Sequence, residues 1–144
     1  MTIQFPNTAL TGHFSASVHE VGGTAPATVL DTTVPWEVRF QWSIYGGSLA
    51  AMLAGQWCLR VRLESIGPGA EFLLPVAGPQ LVPFNPAVSN YTAVISVPAG
   101  TVPASPDAIY KVVACLTTRN ALGAPGPIAG YVEGPILQFF NPGP

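Results

Sequence analysis

Apolar and polar residues alternate at period two along most of this chain. Leu10, Gly12, Phe14, Ala16 and Val18 are interleaved with Thr11, His13, Ser15, Ser17 and His19. Trp36, Val38, Phe40, Trp42 and Ile44 are set against Glu37, Arg39, Gln41, Ser43 and Tyr45. A third run places Trp57, Leu59, Val61 and Leu63 opposite Cys58, Arg60, Arg62 and Glu64. A pleated strand turns successive side chains to opposite faces, so each run predicts a strand with one dry and one wetter face. Shorter runs over 71–75, 91–97 and 110–116 predict three more strands, and 128–140 supplies the last. There Ile128, Tyr131, Val132, Ile136, Leu137, Phe139 and Phe140 keep no single phase, which implies apolar side chains on both faces. Helical period is nearly absent. Only segment 48–54, rich in good helix formers, reads as readily as a short helix as it does as a strand.

Between the runs lie turn signals: Gly22-Gly23, Gly67-Pro68-Gly69, and the Pro-rich stretches 76–90, 103–107 and 124–127. Sixteen prolines and fifteen glycines argue against a helical bundle, because each interrupts or weakens a helix. About seven short strands at this spacing predict one all-β domain over residues 1–144, an antiparallel sandwich. Tyr110 opens an alternating strand that runs to Asn120 and is followed by Gly123, and Trp42 ends the second long strand. This stretch resembles strand F of fibronectin type III and related immunoglobulin-like domains. The resemblance implies an immunoglobulin-like sandwich and no particular function. It departs from true immunoglobulin domains at the cysteines, since Cys58 and Cys115 stand on the outward parity. Tyr110 also stands five residues before the second Cys rather than two.

Composition narrows the function. Charged residues are 8% of the chain and apolar ones 49%, against about a quarter charged in ordinary soluble domains. A net charge of −2 gives no clustered cations for nucleic acid. Few charges also leave little self-repulsion, which favours association. The most apolar stretch, 44–55, is broken by Gly46-Gly47 and is shorter than the roughly 20 residues of a membrane helix. Met-Thr-Ile-Gln-Phe-Pro is not a secretory leader, so the expected setting is cytoplasmic, or that of a mature secreted or assembled protein.

No catalytic motif is present, and neither an enzyme nor a cofactor is expected. The seven carboxylates are scattered one per element. His13 and His19, six residues apart on one strand face, are about 20 Å apart and too distant to share a metal. Three groups of residues point instead to surfaces. The apolar tails, with Phe5 at one end and Ile136, Phe139 and Phe140 at the other, and Phe84 in an echoing central loop, are interface candidates. Arg60, Arg62 and Lys111 form a charged patch on the outer face of adjacent strands. Cys58 and Cys115, on that same face, are either a cross-strand disulfide or two free thiols. The leading expectation is a structural module that self-associates through sheet edges, tails and an apolar outer face, with itself or another protein as partner. The alternative is a recognition module binding protein or carbohydrate at loop 76–90, with Tyr45, Tyr91 and Tyr131 available for stacking on sugars.

Overall fold

A computed structural model of the chain describes residues 3–6, 9–48, 52–67, 69–103 and 108–142. The strands in chain order are β1 (Thr11–Glu20), β2 (Val29–Asp31), β3 (Trp36–Tyr45), β4 (Gln56–Ser65) and β5 (Phe72–Leu74). They continue with β6 (Gln80–Pro83), β7 (Asn90–Val97), β8 (Ala108–Arg119) and β9 (Pro125–Phe140). Two sheets result. One has three strands in the order β1-β3-β7; the other is curled, with six strands in the order β2-β9-β8-β4-β5 and β6 also paired to β4. The inner faces meet as one core. Every inward position expected in β3, β4 and β8 is buried, from Trp36 to Ile44, Trp57 to Leu63 and Tyr110 to Leu116 at alternate residues.

Aromatic side chains join the sheets at both ends. Trp42 of β3 meets Trp57 of β4 edge-on at 5.9 Å between centroids, and Tyr91 of β7 stacks on Trp42 at 5.4 Å. At the other end Phe139 of β9 lies 5.5 Å from Trp36 and 5.8 Å from Tyr110. Such pairs add about 0.5–1.5 kcal/mol each beyond the area they bury.

The expectations need four corrections. First, the described residues form nine strands rather than about seven, because β2 and β6 have three and four residues and show no resolvable period. Second, the sandwich is not wholly antiparallel: β2 lies parallel to the end of β9, with Leu30 opposite Phe139 and buried. Third, the loss of phase in the last strand has a local cause. Register shifts between Lys111/Val113 and Thr117/Arg119 place extra residues in β9, and the first exchanges its inward and outward positions. Ile128, Leu137 and Phe139 therefore point inward, while Tyr131 and Ile136 point outward and are exposed. Fourth, the tails pair within their own chain. The Ile3 amide donates to Gly12 at 3.0 Å, and Gln4 bridges to Ala129, which stitches β1 to β9 along one flank. Of segment 48–54, Ser48 is helical, residues 49–51 lie outside the described residues, and 52–54 form a turn and open chain.

Loop 21–28 closes over the end of β1. His19 stands on the outward parity yet is buried, because its Nδ1 donates to the Ala25 carbonyl at 3.1 Å and its Nε2 accepts from the Ser17 hydroxyl at 2.7 Å. A carbonyl can only accept, so the proton sits on Nδ1. Arg39 holds the same loop through the Gly23 carbonyl at 2.6 Å while pairing with Glu37 at 2.7 Å.

Candidate functional site

The flank opposite the tails is open. Among the described residues β7 pairs with β3 alone, and β5 and β6 pair with β4 alone. The Ile44 amide bonds the Ser89 carbonyl just before β7, which sets the hydrogen-bonding phase of the β3–β7 ladder. Alternation then turns Tyr91, Ala93, Ile95 and Val97 toward β3. The N–H and C=O of Thr92, Val94 and Ser96 face the open edge. Proteins guard such edges with charge, proline or bulges. The β7 sequence Asn-Tyr-Thr-Ala-Val-Ile-Ser-Val has none of these over eight residues.

At the end of the sandwich where β3 stops and β4 and β7 begin, a hollow of about 230 Å³ opens beneath loop 83–89. Trp57 and Tyr91 line its depth and Tyr45, about half exposed, stands at its rim. The loop is tied down from several sides. The Tyr91 hydroxyl donates to the Asn85 carbonyl and accepts from the Asn85 amide, both at 3.1 Å. Asn85 Oδ1 caps the Ala87 amide at 2.9 Å, and the Phe84 amide reaches the Gly55 carbonyl at 3.1 Å. Phe84 itself packs edge-on against Trp57 at 4.7 Å. A second, shallower hollow of about 360 Å³ continues over the outer face of the three-stranded sheet, sharing Tyr45 with the first. It is bordered by His13, Ser15, Gln41, Ser43 and Asn90.

No known protein family, characterised protein or solved structure matches this chain.

The residues singled out by sequence scatter to different fates. Phe139 is buried in the core and Phe5, Phe84 and Phe140 are half-buried, so of the tail and loop candidates only Ile136 is freely exposed. Arg60, Arg62 and Lys111 do share the outer face of the six-stranded sheet, but as a partly neutralised group. Arg60 donates to the Pro75 carbonyl at 3.0 Å, Lys111 pairs with Glu133 at 3.0 Å, and Arg62 is exposed. Around them Leu73, Leu81 and Tyr131 are exposed as well. Sequence reasoning picked out Tyr45 and Tyr91 but passed over Gln41, Ser43 and Asn90. For Gln41 and Ser43 the signal was present, since they occupy the outward parity of a predicted strand; Asn90 fell at the end of predicted loop 76–90 and opens β7 instead. Which outward residues cluster, however, depends on strand order. Among the described residues no group of three or more His, Cys, Asp or Glu converges on a metal-sized site. No described helix is long and apolar enough to cross a membrane.

Cys58 and Cys115 are both free. Cys58 faces Thr117 across the ladder and Cys115 faces Arg60, which leaves the thiols one diagonal step apart. Burial raises the Cys115 pKa, the Arg62 charge opposes that rise, and Glu64 adds to it. The fold thus favours the neutral thiol. Its contribution to stability is full below the ordinary thiol pKa and declines as pH climbs through the raised one. Alkylation of the dilute protein by iodoacetamide, followed by mass spectrometry across pH, should give a Cys115 midpoint above that of a free thiol. Cys58, buried, should lag behind it.

Proposed function

We propose that the chain is a non-catalytic structural module that self-associates by pairing β7 with β7 of a second copy. The observation that carries this reading is the unguarded β7 edge, uncharged, free of proline and, among the described residues, unpaired on its outer side. Antiparallel pairing about a two-fold axis would satisfy the outward backbone groups of Thr92, Val94 and Ser96 in both copies at once. It would also join two three-stranded sheets into one of six. With 8% charged residues, little electrostatic repulsion opposes the approach. A standard interface takes about 800 Å² from each partner, roughly a tenth of the 7765 Å² surface of this chain. Edge pairing alone covers less than that, so the flanking side chains near β7 must contribute.

The outer face of the six-stranded sheet offers a second contact, supported by exposed Leu73, Leu81, Tyr131 and Ile136 set among charges of both signs. It would extend dimers into larger assemblies. We read the frame as immunoglobulin-like, on the adjacency of β4 and β8 in the larger sheet and of β1 and β3 in the smaller.

Sedimentation velocity across a dilution series tests both contacts. Val94 is exposed, so Val94→Lys places a charge at the edge without touching the core. It should convert the smallest associated species to monomer. Val94→Pro removes an outward N–H and should do the same. Tyr131→Glu should leave the dimer and abolish larger species. A wild-type chain that stays monomeric at the highest concentration would refute the proposal.

A further inference from the structure

The two hollows that meet at Tyr45 have a chemistry that edge pairing does not use. Among the described residues their lining contains no Asp, Glu, Lys or Arg, and its one imidazole is His13. A phosphate, a carboxylate or a polyamine would find no countercharge. A purely apolar ligand would have to strip water from Gln41, Ser43, Ser89 and Asn90, at a cost of about 1–3 kcal/mol for each group left unpaired. The hollows match a ligand that is uncharged, rich in hydroxyls and has one apolar ring face.

We infer that this end of the sandwich binds a neutral oligosaccharide, with one pyranose ring stacked on Tyr45. The exposed phenol at the end of β3 offers a flat, rigid face to the C–H side of a sugar and a hydroxyl to its rim. Outward side chains of three neighbouring strands then supply both donors and acceptors. His13 of β1 lies opposite Ser43 of β3, which lies opposite Asn90 of β7; one step along, Ser15 lies opposite Gln41. Amides and hydroxyls are the groups that can satisfy a sugar hydroxyl as donor and acceptor together.

Shape and rigidity agree with this chemistry. A hollow of about 230 Å³ is smaller than the roughly 300–1,000 Å³ of drug-sized pockets and takes one ring, while its continuation over the sheet leaves room for more. An oligosaccharide therefore fits better than a single sugar. The wall built by loop 83–89 is already ordered through Tyr91 and Asn85, so little entropy is lost in closing it on a ligand. Trp57 lines the hollow, which gives binding a spectroscopic signature in indole fluorescence.

Titration of the full chain with cello-, xylo-, manno-, laminari- and chito-hexaose, by calorimetry and indole fluorescence, tests the inference. At least one hexaose should bind at millimolar concentration or below and shift the emission. Tyr45→Ala should weaken it by about tenfold or more, Tyr45→Trp should restore it, and Gln41→Ala should weaken it severalfold. Tyr45 is half exposed, so the variants should keep the wild-type circular dichroism spectrum. Absence of binding by all five sugars would overturn the inference, as would binding that Tyr45→Ala leaves unchanged.

Discussion

Trp57→Ala should lower the stability of the fold by about 3–5 kcal/mol, the range for removing a large aromatic from a packed core. Trp57 is fully buried on the inward face of β4. It touches three other rings: Trp42 at 5.9 Å, Tyr91 at 5.6 Å and Phe84 at 4.7 Å. These come from β3, β7 and the loop after β6, so alanine would loosen both sheets and the ordered loop together. A typical domain has only about 5–15 kcal/mol to lose. The indole N–H of Trp57 has no hydrogen-bond partner among the described residues, and its burial already opposes folding. Trp57→Phe should therefore cost clearly less than Trp57→Ala. Urea denaturation read by circular dichroism separates the two, and a loss below about 1 kcal/mol for alanine would contradict the packing described.

Gly55→Ala should cost about 3 kcal/mol or more, although it adds a single methyl group. Gly55 leads into β4 with φ of +114°, a conformation that disfavours any side chain. A Cβ there would strike the Arg119 carbonyl and come within 3.0 Å of Asn120 Cα. Both are backbone atoms at the end of β8, so neither can swing aside. The Gly55 carbonyl also accepts from Phe84, and displacement would pull on the loop over the hollow. Gly47 is the internal comparison. It too has positive φ, +58°, but a Cβ meets nothing within 4 Å. Gly47→Ala should cost only about 1–2 kcal/mol, the conformational penalty alone. Thermal melts of the two variants give the contrast directly.

How much of this was legible beforehand varies by element. β1, β3, β4, β7 and β8 could be read because each has at least eight residues and one face against the core, so burial imposes a phase on the sequence. β4 and β8 could even be placed side by side. β2 and β6 could not, since three or four residues do not display a period; β5, equally short, was read only as an apolar run that Pro75 closes. In β9 the alternation was present but switched phase at a bulge, and a bulge exists only relative to the partner strand that it fails to match. His19 was misjudged for a related reason. Its parity is outward, but a loop returns to cover it.

The candidate sites divide in the same way. The apolar tails were recognisable as sticky segments, yet only the folded chain shows that Gln4 and Phe139 spend their pairing capacity on their own sheet. The uncharged run of β7 is plain in the sequence, but its place at an edge follows from strand order. The hollow at Tyr45 draws on β3, β4, β7 and the loop before β7. Period, composition and turn chemistry are local properties, and by themselves they determined an all-β chain, its main strands and its inward faces. Strand order, edges, bulges and clefts arise from contacts between residues distant in sequence, so only the tertiary structure decided which surfaces remain for a partner or a ligand.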